Sequence, residues 1–153
     1  MKPIRNSAKA IILNDGNLLT IAHEDAEGPW YSLPGGGQRP GENLAETLRR
    51  ECLEEIGVSV QVGALRYVRD YISANHEFSQ EDPHVHHVEF MFECMLLGNL
   101  AGAQPSNPDD DQLGLTWLPL AELPSLRLYP SRLRTLLTQE RDPLSNVYLG
   151  DVN

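Results

Sequence analysis

Residues 36–58 read Gly36-Gly37-Gln38-Arg39-Pro40-Gly41-Glu42-Asn43-Leu44-Ala45-Glu46-Thr47-Leu48-Arg49-Arg50-Glu51-Cys52-Leu53-Glu54-Glu55-Ile56-Gly57-Val58. The second half has the marks of a helix. Asn43 can cap its start, and Glu46 three residues on completes a capping-box pattern. Gly57 supplies the stop. Between them Ala45, Leu48, Cys52 and Ile56 recur at helical spacing and define one apolar face. Glu51, Glu54 and Glu55 fall within an arc of about 100° beside that face, toward solvent. Like charges at these spacings cost a helix about 0.2–0.5 kcal/mol per pair. Three carboxylates so placed make physical sense around a divalent cation, and hard oxygen ligands suit Mg2+ or Mn2+. A solvated acidic face, neutralised by Arg49 and Arg50, is the plain alternative. The glycine run Gly35-Gly36-Gly37 just upstream favours the cation, because such a loop brings backbone close to a metal and to phosphates.

The same residues satisfy a longer pattern, G-x5-E-x7-R-E-U-x-E-E-x-G-U, with U apolar. Gly36, Glu42, Arg50, Glu51, Cys52, Glu54, Glu55, Gly57 and Val58 occupy its defined positions. In this the chain resembles the Nudix hydrolases of the MutT-like kind. The entry Leu33-Pro34-Gly35-Gly36 and the later Thr116-Trp117-Leu118-Pro119-Leu120 extend the likeness. The resemblance implies an α/β Nudix fold, an α/β/α sandwich around a mixed β-sheet. It implies Mg2+-dependent hydrolysis, with Mn2+ as a substitute, of a phosphoanhydride in a small nucleotide substrate. By position, the Gly35 carbonyl, Glu51, Glu54 and Glu55 would hold the metal, with Glu51 a further ligand or the base that activates water. Arg50 would orient a glutamate, and Glu42 would support the loop–helix junction or reach a second metal. Asp111, in the acidic run Asp109-Asp110-Asp111, is the expected extra metal ligand, and Glu89 is its rival.

Working outward, Asp15-Gly16 marks a hairpin between apolar runs at 8–13 and 17–22. A loop at 23–29 leads to a strand at Trp30–Leu33. Strands are expected at 58–62, 64–72, His87–Leu97 and Leu113–Leu118, with an acidic loop at 105–112. A second helix is expected over Pro130–Gln139. Residues 141–153 read as the end of a single domain or as a tail. Trp30 and Tyr31 are candidates for stacking on a base, although core packing is the commoner fate of aromatics. His76, His84, His86 and His87 cluster around the loop at 73–84 without a zinc pattern.

The chain has 153 residues, with 12 Lys and Arg against 22 Asp and Glu, a net charge of −10. That balance argues against a nucleic-acid polymer as partner, because phosphate-backbone binding relies on Lys and Arg. Small phosphorylated ligands remain open, since a metal can neutralise their charge. Cys52 and Cys94 form no CxxC pair and read as reduced core thiols. No apolar run approaches a membrane span or a signal segment, so a cytoplasmic protein is expected. Many proteins of the resembled family dimerise, which leaves a homodimer among the expected partners.

The box identifies chemistry and not substrate. The downstream Pro of ADP-ribose hydrolases is missing: Ser73 and Ala74 stand there. Asn75 and His76 stand where dinucleoside polyphosphate hydrolases carry Tyr. The stretches Ala8–Ile12, Trp30–Gln38 and His87–Cys94 look like small bacterial ADP-ribose pyrophosphatase-like proteins. An ADP-ribose-like substrate is therefore expected. The alternatives are a housecleaning nucleoside triphosphate pyrophosphohydrolase and a non-catalytic nucleotide-binding regulator.

Overall fold

The computed structural model describes residues 2–77, 79–104 and 112–153. The chain starts with the expected hairpin. β1 (Arg5–Asn14) turns through Asp15 and Gly16, both at positive φ, into β2 (Asn17–Asp25). β3 (Gly28–Ser32) follows almost at once and pairs with β2. The loop expected at 23–29 thus shrinks to a reversal at 26–27. The cross-strand partners His23 and Trp30 stack at 4.0 Å and hold the strands together beyond the apolar run.

β4 (Gly35–Gly37) pairs antiparallel with β1, and α1 (Leu44–Ile56) leaves it through a short loop. The capping box is formed in full. Asn43 accepts from the Glu46 amide, and the Glu46 carboxylate accepts from the Asn43 amide. Gly57 ends the helix at φ +72°.

β5 (Val60–Ile72) is one strand where two were expected, with register shifts between Val62 and Tyr67. Gly63 sits at that irregularity because a Cβ there would lie 2.9 Å from the Glu93 carbonyl oxygen. β6 (His86–Leu96) pairs antiparallel with β5 and parallel with β1. β7 (Gly114–Pro119) pairs with β2, and β8 (Leu128–Tyr129) runs parallel to β3. The second helix shrinks to α2 (Leu133–Leu136), flanked by turns. Thr135 and Thr138 hydroxyls bond back to the carbonyls of Arg132, Arg134 and Thr135, a competition that shortens helices. The segment read as a possible tail carries β9 (Tyr148–Asp151), parallel to β5.

Among the described residues the sheet has nine strands in the order β8-β3-β2-β1-β6-β5-β9, with β4 beside β1 and β7 beside β2. Alternation along β1 divides the core. Ala8, Ala10 and Ile12 face Leu48, Cys52 and Ile56 of α1. Ile11 joins Met91, Leu123, Leu128 and Leu133 in a second cluster, beside the 3₁₀ turn at Leu120–Ser125 and α2. The sheet therefore lies between two helical layers. Cys52 and Cys94 are free and buried, and burial pushes both thiols up, Cys94 to about 11. No helix among the described residues is long and apolar enough to cross a membrane.

Candidate active site

Arg50 is the hub of the site. It reaches Glu42 with two bonds, Nε to Oε1 at 2.6 Å and Nη2 to Oε2 at 2.9 Å. Its Nη1 donates to Glu51 at 2.7 Å and to Glu54 at 3.3 Å, and Nη2 also reaches the Gly37 carbonyl at 3.0 Å. The planar guanidinium fork suits this many carboxylate contacts. Arg50 holds the Glu42 carboxyl down to about 2, helped by the Arg39 amide and the Thr47 hydroxyl. In return, the Glu42 and Glu51 carboxylates raise the Arg50 pKa. Glu42 therefore serves the loop–helix junction.

Glu55 departs from the solvent-facing position expected of it. It is 3% exposed, and its carboxylate accepts the Gly35 amide at 2.9 Å. It stays polar in the core because it ties α1 to the glycine strand. The glycines are required sterically. A Cβ on Gly35, at φ +137°, would lie 2.1 Å from the Ala8 carbonyl oxygen. A Cβ on Gly36 would lie 2.4 Å from the Glu51 carboxyl carbon. The strand is thus a side-chain-free wall against which the glutamates lie.

The expected metal ligands occupy one neighbourhood without forming a ready cage. Among the described residues no three His, Cys, Asp or Glu side chains gather as a metal-binding group. Each described donor instead holds a hydrogen-bond donor from the protein itself. Arg50 sits on Glu51 and Glu54, Lys9 Nζ lies 3.3 Å from the Gly35 carbonyl, and the Gly35 amide lies on Glu55. Arg39 adds a contact to Glu54 at 3.5 Å. Three carboxylates and a carbonyl in one neighbourhood are a hard-oxygen donor set, so the residues fit Mg2+ or Mn2+. Asp111 lies outside the described residues. Gln112 Nε2 donates to the Glu55 backbone carbonyl at 3.0 Å.

Of the other candidates, Glu89 and His87 line the cleft at Gly36 and Gly37, and the rest lie farther off. Glu89 is buried and paired with Arg69 at 2.6 Å, so its anionic charge is already matched. Glu93 pairs with Arg66. His76 and His86 bond to Asp151 and Asp70 at the β5–β9 edge, away from the glutamates. His87 lines a cleft of about 110 Å³ with Arg5, Lys9, Gly36 and Gly37, and burial lowers its pKa. Trp30 and Tyr129 line an adjoining cavity of about 190 Å³, which Lys9 and Glu89 also border. Sequence reading missed Arg5, Lys9, Arg69 and Asn153 in these spaces. The available signal was Lys9 inside the apolar run Ala8-Lys9-Ala10-Ile11, where a charge needs a reason.

A family model described as NUDIX domain matches residues 3–139. The chain belongs to the Nudix family. A putative 8-oxo-dGTP diphosphatase of Bacillus subtilis is 28% identical over 84% of this chain and 75% of its own length. A nucleoside triphosphatase NudI of Enterobacter is 30% identical over 56% of this chain, which spans 64% of that relative. The MutT Nudix hydrolase structure from Burkholderia pseudomallei superposes with a TM-score of 0.67 at 25% identity, covering 87% of this chain and 96% of that one. The fold is the α/β Nudix fold, and this Nudix chain, with its box intact, is a pyrophosphohydrolase.

Proposed function

We propose that the chain is a Mg2+-dependent hydrolase that splits the phosphoanhydride of a nucleoside triphosphate, releasing a nucleoside monophosphate and pyrophosphate. The observation that carries the chemistry is the Arg50 cluster, in which Glu42, Glu51 and Glu54 share one guanidinium beside the glycine wall. Two relatives named for triphosphates, the putative 8-oxo-dGTP diphosphatase and the nucleoside triphosphatase NudI, support the triphosphate. The ADP-ribose-like substrate expected from the sequence is the second reading, favoured by the look of Trp30–Gln38 and His87–Cys94.

The Gly35 carbonyl, Glu51, Glu54 and Glu55 would hold the ion, which when bound neutralises phosphate charge and lowers the pKa of water. Arg50 fixes the carboxylates at the wall. Arg5 and Lys9 line the cleft at Gly36 and Gly37 and supply positive charge for phosphate oxygens. If Glu51 is the base and not a ligand, it would take the proton as the water oxygen bonds to phosphorus, and the anhydride P–O bond would break with its electron pair on the leaving pyrophosphate or nucleoside monophosphate.

Product analysis over nucleoside triphosphates, 8-oxo-dGTP and ADP-ribose, with and without Mg2+, tests the reading. Fastest release of monophosphate and pyrophosphate from one triphosphate is the expected result. Fastest release of AMP and ribose 5-phosphate moves the protein to the second reading. No metal-dependent turnover on any member overturns both.

A further inference from the structure

Glu54 is met by two arginines that are held very differently. Arg50 Nη1 reaches Glu54 Oε2 at 3.3 Å from a side chain only 18% exposed, tied also to Glu42, Glu51 and the Gly37 carbonyl. Arg39 Nη2 stands 3.5 Å from the other oxygen, Oε1, and its side chain is 60% exposed. That separation is too long for a strong hydrogen bond, so the Arg39 contact is chiefly Coulombic.

The backbone of Arg39 is fixed although its side chain is not. Its N–H donates to Glu42 Oε2 at 3.1 Å, and its carbonyl accepts the Glu42 N–H at 3.1 Å. Pro40 and Gly41, the latter at φ +90°, complete the turn. The side chain so anchored borders two spaces. On one side lies Glu54. On the other lies an outer groove of about 410 Å³, lined by Arg5, Asn6, Gln38 and Glu42 as well as Arg39. Gln38 is engaged there, accepting from Asn6 and donating to the Glu42 carbonyl. The Glu42 carboxylate is taken up by Arg50, Thr47 and the Arg39 amide. What the groove offers a ligand is the charge of Arg5 and Arg39. In a chain of net charge −10, two guanidiniums on one groove mark it for an anion. Arg5 also lines the cleft at Gly36 and Gly37 with Lys9, so the groove continues the path proposed for the phosphates.

We propose that Arg39 is a positioning residue exchanged between Glu54 and a substrate phosphate in the outer groove. While the guanidinium lies on Glu54, its charge opposes a metal ion there. A phosphate in the groove draws it off through charge-assisted bonds and leaves Oε1 to the ion. Metal and substrate then favour each other's binding, and the coupling is reciprocal. The inference rests on the proposed reading that Glu54 holds the ion, and it is tested first without turnover.

Mn2+ is titrated onto the protein with the free ion read by electron paramagnetic resonance, and inorganic tripolyphosphate is titrated calorimetrically in EDTA. Arg39→Gln should bind Mn2+ about two- to fivefold tighter, the range expected for losing one exposed charge contact. It should bind tripolyphosphate about threefold or more weaker. A residue that only supports the loop would not move the two affinities in opposite directions. Arg39→Lys keeps the charge and should return both toward wild type. In turnover, the free Mg2+ giving half-maximal rate should fall as nucleotide rises, and the fall should shrink in Arg39→Gln. Unchanged or weaker Mn2+ binding by Arg39→Gln overturns the inference, as does unchanged tripolyphosphate binding. Metal-dependent turnover would in either case leave the hydrolase reading intact. A wild type that binds no Mn2+ removes the metal site and the inference with it. Opposite shifts in a protein that turns over no nucleotide would instead sink the hydrolase reading and leave this one standing.

Discussion

The Arg50 cluster and the Glu89–Arg69 cavity are both built on a guanidinium and carboxylates, half-buried in the first and buried in the second, yet they are assembled differently. The cluster draws on residues 37–54, a single run from the end of β4 through one loop into one helix. The cavity draws on β1, β3, β5, β6, β8 and the chain end. In the cluster nearly every polar bond is made within the protein, and carboxylates outnumber the cations among them. In the cavity Arg69 and Lys9 lie beside the one carboxylate side chain, Glu89, and hydrogen-bond capacity is left over. Excess charge invites an ion, and excess hydrogen-bond capacity invites a shaped organic group. One region is thus suited to an ion and the other to a polar organic group.

The sharpest way to break that division is at Glu55. A Gln there can still accept the Gly35 amide, so the fold should survive with a melting temperature within a few degrees of the wild type. Turnover should fall by roughly 10²–10⁴-fold through loss of the anionic donor. Wild-type turnover at saturating Mg2+ would remove Glu55 from the metal site.

Arg50→Lys comes next in size. Lysine cannot reproduce the two-pronged grip on Glu42 while reaching Glu51, Glu54 and the Gly37 carbonyl. Activity should drop about 10–100-fold, with a rise in the Mg2+ concentration needed for half-maximal rate. Unchanged Mg2+ dependence would mean that Arg50 only stabilises the helix.

These differences also set what could be read from the sequence. Helix α1 was legible to its caps because Asn43, Glu46 and Gly57 act on their own neighbours. The glutamate cluster was legible because helical spacing places side chains on a face. Burial of Glu55 was not, since it depends on the glycine strand pairing with β1. Strand β9 escaped notice because polar clamps hold it in place of an apolar stripe. Tyr148 reaches Asp70, and Asp151 accepts the Ile72 amide. The Arg69–Glu89 pair needs β5 and β6 in register, with Arg69 opposite Glu89, a fact no local pattern contains.

Acid separates the two regions more gently. Glu42 is held at about 2 in the folded protein, against 4.5 for an ordinary glutamate. Its depressed pKa contributes stability above pH 4.5 that is lost as pH falls from about 4.5 to about 2. The melting temperature should decline over that window, and Glu42→Gln should flatten part of the decline. Identical slopes for both proteins would show that the Arg50–Glu42 clasp adds nothing to folding.

The smallest effect tests the cavity from its far edge. Asp151 is held at about 2 despite burial, by Asn75, the Ile72 amide and His76, and through these bonds it pins β9 to β5. That pinning brings the Val152 carbonyl and Asn153 to Arg69. Asp151→Asn weakens the charged contacts and should lower the melting temperature by about 2–4 °C. Arg69 then loses part of its support while Glu51, Glu54, Glu55 and Arg50 are untouched. KM for the preferred nucleotide should rise a few-fold with kcat unchanged, the pattern expected when binding alone is loosened. A fall in kcat at constant KM would show that the chain end acts on the reacting groups, and the division between the two regions would fail.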